Sequence, residues 1–189
     1  MKCFSAREDL YFATEFHPYK DEINSRILEE CKLMNFITDH WNADGSFTNI
    51  MALQTLPVHC DKDFYNQFAS MGLLVDWVID ITRKVTKKEA YQDIGKMYVE
   101  HIWVAKYNKG DWTKSHHHHP AIYSFVYFVK SPKGSSSLVF TTSGKRIKAE
   151  DGKLVLFPGD LRHHVPKNRS DGRVVLAGNI FLQLRGTFL

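Results

Sequence analysis

Apolar positions along this chain recur at two periods, and the change from one to the other comes near residue 95. Before it, Tyr19, Ile23, Ile27 and Cys31 return every four residues through a charged segment, which predicts an amphipathic helix over Lys20 to Leu33. Phe64, Phe68, Met71, Val75, Val78, Ile79, Thr82 and Val85 trace a second, longer helical stripe, with Asp61 or Asp63 as its N-cap. Stripes of this kind pack on a neighbouring element far more often than they bind a cofactor, so both helices are expected to lie against a sheet.

After Gly95 the period falls to two. In Met97 to Tyr107 the positions Val99, Trp103, Ala105 and Tyr107 are expected to share one face, with Glu100 and Lys106 on the other. Further strands are predicted over Tyr123 to Lys130, Ser137 to Thr142, Lys145 to Lys148, Lys153 to Phe157 and Arg173 to Leu184. Turns rich in Gly, Pro, Asn and Asp separate them. Helices first and short strands afterwards indicate an α+β fold, an antiparallel roll with the helices covering one sheet. One domain over residues 1–189 is expected, with 1–95 as a mainly helical support and 96–189 as the strand-built core.

Composition narrows the functional classes. The 189 residues are 43% apolar, with thirteen Phe, eight Tyr and four Trp, enough for one aromatic core. A net charge of +4, dispersed among alternating acids, does not indicate a nucleic-acid groove; Lys145, Arg146 and Lys148, like Lys130 and Lys133, read as solvated faces. Cys3, Cys31 and Cys60 are odd in number and widely spaced, which argues against a disulfide framework and suits a reducing cytoplasm. Charge comes too early for a secretory leader, and the most apolar run, Met71 to Ile81, contains Asp76 and Asp80, so no membrane association is expected.

Candidate chemistry lies in two histidine clusters, His116-His117-His118-His119 and His163-His164, which hold six of the ten histidines. Imidazole is the commonest metal ligand that is neutral at pH 7. Side chains two apart on a strand point the same way, so His116 and His118 form one candidate pair and His117 and His119 the competing one. Arg173, Val175, Ala177 and Asn179 likewise share a face. If that face looks inward it buries a guanidinium among apolar groups, and a buried arginine demands an anionic partner. Taken singly, the histidine run also fits a solvated loop that gathers metal incidentally, and Arg173 a surface position. Their joint spacing favours a site.

Five ordered segments carry a resemblance to a known family: residues 107–118 (YNKGDWTKSHHH), 124–132 (SFVYFVKSP), 152–158 (GKLVLFP), 161–166 (LRHHVP) and 173–179 (RVVLAGN). Together they resemble the double-stranded β-helix, a jelly-roll or cupin-like fold, of iron(II)- and 2-oxoglutarate-dependent oxygenases. Within that superfamily they are most similar to prolyl-hydroxylase-like proteins, including members encoded by bacteriophages. The resemblance covers about residues 97 to 184. It implies that His163, in its H-x-V frame, is the distal iron ligand, that His116 is the proximal one, and that Arg173 holds the C5 carboxylate of 2-oxoglutarate. By the same resemblance Tyr107 contributes a hydrogen bond to the cosubstrate, Asn179 joins the cosubstrate site, and Phe128 stands where a second tyrosine is usual.

One departure concerns the second ligand, because the family pattern is H-x-D or H-x-E and every register here gives H-x-H. Three completions stay open: a three-histidine iron site with His118 as third ligand, a site completed by Asp111 or Asp160, or a site that binds another metal. The implied activity is a dioxygenase reaction consuming dioxygen and 2-oxoglutarate, stimulated by ascorbate, on a protein or peptide substrate of prolyl type. A non-catalytic cupin-like metal-binding or assembly module is the alternative.

Overall fold

The long strands do begin where the period changes. A computed structural model of the protein describes residues 10–37, 49–86 and 95–184. Ahead of residue 95 run β1 (Ala13–Phe16), α1 (Lys20–Glu30), β2 (Phe36–Ile37), β3 (Ile50–Met51), β4 (Leu53–Thr55), β5 (Val58–His59), α2 (Lys62–Gln67) and α3 (Ala69–Thr86). Then follow β6 (Gly95–Tyr107), β7 (Trp112–His116), β8 (Tyr123–Lys130), β9 (Leu138–Phe140), β10 (Arg146–Ile147), β11 (Lys153–Pro158), β12 (His163–Val165) and β13 (Arg173–Leu184). The major sheet has the order β1-β11-β8-β13-β6-β4-β2, with β5 also on β6; the minor sheet has the order β10-β9-β12-β7-β3. Every strand pair among the described residues is antiparallel.

Alternation along the central strands feeds two cores, as expected where both faces of a sheet are covered. On β13, Val174 and Leu176 join Phe125 and Tyr127 of β8 beneath α1 and α3, where Ile27, Met71, Leu74 and Val78 are fully buried. Val175 and Ala177 face the other way, with Val126 and Phe128, toward Leu138, Phe140 and Val165 of the minor sheet. The helices therefore cover one face of the major sheet and leave the other to enclose a cavity between the two sheets.

Several expectations need correction. Val99 packs in the helix-side core, while Trp103, Ala105 and Tyr107 face the minor sheet. A bulge causes this: β13 pairs Asn179 with His101 but Ile180 with Val99, so Glu100 is an extra residue and the strand changes face. The single long helix is two helices. Asp61 caps α2 by accepting from Phe64 N–H at 3.0 Å, whereas the first turn of α3 is capped from outside, Glu30 of α1 accepting from Ser70 and Met71 N–H at 2.7 and 3.0 Å. Tyr19 is 71% exposed and stands at the N-cap of α1, so the buried stripe begins at Ile23. The first half also supplies five short strands. Cys31 and Cys60 are free thiols that burial pushes up to about 11 and about 12, and Cys3 lies outside the described residues. No helix among the described residues is long and apolar enough to cross a membrane.

Candidate metal and anion site

β7 and β12 are neighbours in the minor sheet, and their register sets His116 directly opposite His163. Paired residues in an antiparallel ladder point to the same side, so both rings face the cavity, 4.3 Å apart between centroids. His118 follows in the turn after β7. Its backbone N–H donates to the Gly159 carbonyl at 2.7 Å, and its ring lies 4.8 Å from His116 and 5.1 Å from His163. Gly159 is required for this approach, because a Cβ there would sit 2.0 Å from the Ala121 carbonyl oxygen. One potential ligand atom from each of the three rings falls within 4.8 Å of the others, and no other such group of three occurs among the described residues.

Two of the three rings have a defined tautomer. His116 Nδ1 lies 2.7 Å from the Lys114 carbonyl and His163 Nδ1 lies 2.9 Å from the Leu161 carbonyl. A carbonyl only accepts, so each Nδ1 carries the proton and each Nε2 keeps its lone pair, the arrangement in which outer hydrogen bonds orient metal-binding imidazoles. The edge of Phe157 closes on His163, and Trp103 tilts against His118. Burial, reinforced by the neighbouring rings, pulls His118 down to about 2 and His163 to about 3, and it lowers His116 as well. All three are therefore neutral at pH 7.

His117 and His119 are exposed. His119 Nδ1 pairs with Asp160 at 3.1 Å on the surface, and His164 turns outward to Thr141 Oγ1 at 3.0 Å. Asp111 Oδ2 accepts from Asn108 N–H, closing the turn between β6 and β7. Neither Asp111 nor Asp160 joins the histidine group. Asn179 is outside the cavity lining, and its Oδ1 accepts from Ser124 Oγ at 2.8 Å.

Along β6 and β13 the register partners Trp103–Ala177, Ala105–Val175 and Tyr107–Arg173 form three successive rows of the cavity wall. The cavity is narrow, about 40 Å³, with the histidines beside the first row and Arg173 in the last. Arg173 is 1% exposed, and its Nε and Nη1 have no hydrogen-bond partner among the described residues. No ion pair reaches it among the described residues. Its guanidinium instead lies between rings, 4.4 Å from the centroid of Tyr107 and 5.4 Å from that of Phe128. Such contacts are worth roughly 0.5–2 kcal/mol each, against an uncompensated burial cost of several kcal/mol. Burial accordingly lowers the Arg173 pKa, with Tyr107 opposing.

The deep end of the cavity thus presents a cation with open donors, and the near end three lone pairs. Thr113, missed in the sequence, fixes Tyr107 through a 2.6 Å bond between hydroxyls. Trp103 was legible from its place two residues from Ala105, whereas Ile50, on a two-residue strand from the first half, had no signal at all.

No family model matches the chain, and no curated protein matches it. Solved structures do. A viral collagen prolyl hydroxylase from Paramecium bursaria Chlorella virus-1, seen with 2-oxoglutarate, is 15% identical with a TM-score of 0.61, over 90% of this chain and 95% of that one. A prolyl-4-hydroxylase from Pseudomonas putida is 16% identical, TM-score 0.63, over 91% and 92%. A prolyl hydroxylase from Trichoplax adhaerens, in complex with a hypoxia-inducible-factor peptide fragment, is 14% identical, TM-score 0.64, over 89% and 82%. The chain therefore has the fold of proteins of the 2-oxoglutarate- and iron(II)-dependent oxygenase family, with prolyl hydroxylases among its structural neighbours.

Proposed function

We propose that this protein is an iron(II)- and 2-oxoglutarate-dependent dioxygenase built on a double-stranded β-helix, and that it hydroxylates a peptidyl residue of prolyl type. The observation that carries the reading is Arg173, a fully buried guanidinium with two unpartnered donors in the same narrow cavity as three neutral imidazoles. A dicarboxylate that reaches both ends supplies what each lacks. Arg173 is suited to hold the far carboxylate, with Tyr107, itself held by Thr113, adding a hydroxyl beside it.

His116, His118 and His163 would hold the metal, and the three-nitrogen set fits iron(II) among the divalent metals that imidazole suits. Iron with its cosubstrate would supply oxygen activation, hydroxylating the substrate with succinate and carbon dioxide as coproducts, and ascorbate would keep the metal reduced. The carbonyls of Lys114 and Leu161 keep two rings presenting Nε2. Trp103, Val175 and Ala177 keep the space between metal and arginine apolar, so the Arg173 charge acts with little screening. A peptide substrate is supported by the Trichoplax neighbour, whose structure contains a peptide fragment.

The test is incubation with iron(II), 2-oxoglutarate, ascorbate and air, followed by organic-acid analysis. Succinate above a metal-free control, slow without the prime substrate, is expected. Absence of succinate with iron bound would favour the metal-binding module.

A further inference from the structure

Two more histidines meet on the major sheet, away from the triad. His59 of β5 and His101 of β6 are register partners, and their rings stand 4.3 Å apart between centroids, tilted by 46°. His101 lies two residues from Trp103 on the same face of β6, one row beyond the row that touches His118 and on the side away from Arg173. The bulge at Glu100 comes just before His101, so alternation from Trp103 still holds at His101 and ends there. Both rings reach solvent: His59 is exposed, and the His101 side chain keeps 28% of its surface.

We propose that His59 and His101 form a second metal site, a bis-histidine chelate for a borderline divalent cation such as Zn²⁺, Ni²⁺ or Cu²⁺. A paired cross-strand position holds two imidazoles side by side before any metal arrives, so chelation needs little reordering of the chain. A second observation points the same way. Glu100 Oε2 lies 3.3 Å from His101 Nδ1. The contact is electrostatic, outside hydrogen-bond geometry, and the negative charge beside Nδ1 favours the tautomer protonated there, which leaves Nε2 as the ligand atom. Burial also lowers the His101 pKa, against the pull of Glu100 and with the help of His59, so this ring is neutral at pH 7.

Among the described residues only two protein ligands converge, and water completes the coordination. The site is therefore weaker and more exchangeable than the triad, and its cation staples the two-residue β5 onto β6. It is independent of the oxygenase reading, since neither ring belongs to the triad or lines the cavity.

The experiment is equilibrium dialysis of the full chain against Zn²⁺ with metal analysis, for wild type, His59→Gln, His101→Gln, Glu100→Gln and His117→Gln. Wild type is expected to bind two zinc ions with separated affinities. His59→Gln and His101→Gln each bind only the tighter one, Glu100→Gln weakens the second by about 10–100-fold, and His117→Gln keeps both. A wild type that binds a single zinc, a second zinc that survives both His59→Gln and His101→Gln, or one lost with His117→Gln overturns the proposal. Imidazole proton NMR of the wild type, needing no variant, gives the same decision: the His59 and His101 signals must move together during the weaker phase of a Zn²⁺ titration, and fixed signals overturn it.

Discussion

Replacing Arg173 by leucine separates the two roles that its position combines. The guanidinium is buried without an anion and offers Nε and Nη1 into the cavity, so its removal should weaken 2-oxoglutarate while sparing the metal ligands, which lie beside the Trp103–Ala177 row, two rows from Arg173. A hydrogen bond to a charged group contributes about 1.5–3 kcal/mol. That is roughly a 10- to 140-fold rise in Kd. Stability should move the other way: the variant loses the ring contacts with Tyr107 and Phe128, but it is also relieved of an uncompensated buried charge, and a net gain on the order of 1–2 kcal/mol is expected for the metal-free protein. Calorimetric titration of Mn²⁺-loaded protein with 2-oxoglutarate measures the first quantity, urea unfolding the second, and metal analysis controls for the site. Unchanged cosubstrate affinity in Arg173→Leu would refute the anion-anchor role, and a large loss of stability would mean that Arg173 is held by partners within the fold.

Phase within the histidine run predicts that His116→Ala, His118→Ala and His163→Ala each lose iron at the dialysis midpoint of wild type, while His117→Ala, His119→Ala and His164→Ala retain it; metal analysis across the six reads this directly, and losses at 117 and 119 would shift the register by one. Metal-free protein should destabilise in acid. His118 and His163 have folded pKa values of about 2 and about 3, below the ordinary 6.5, so the unfolded chain binds more protons below pH 6.5 and stability falls with pH from there downward. Each ring should contribute roughly 2 kcal/mol of loss between pH 6.5 and 5, measured by urea unfolding, and a flat profile over that range would count against burial of the neutral rings. Glu30→Ala removes the acceptor that caps the first-turn N–H groups of Ser70 and Met71 and should cost about 1–2 kcal/mol, again by urea unfolding; no change would mean that solvent caps α3 equally well.

Local structure and local side-chain direction were legible in the chain alone. Alternation placed Tyr123–Lys130 and Arg173–Leu184 as strands, four-residue spacing placed α1, and the parity of the run from His116 set which rings could act together, because side-chain direction follows from the backbone period alone. Parity also put Arg173 on one face with Val175 and Ala177, and the packing of β13 against the minor sheet turned that face inward. Four things depended on contacts between segments far apart in the chain. Glu30 caps a helix forty residues on, which divides one predicted helix into two. The bulge at Glu100 exists only in the register between β6 and β13, and it moves Val99 to the other core. Short strands such as β3, β5 and β12 have too few residues to show a period and are made by their partners. The placement of two candidate carboxylates was decided in the same way: Asp111 and Asp160 were candidates by nearness in sequence, but a turn and a surface histidine occupy them. Periodicity reports which way a side chain points; only pairing across the sheets decides what it meets there.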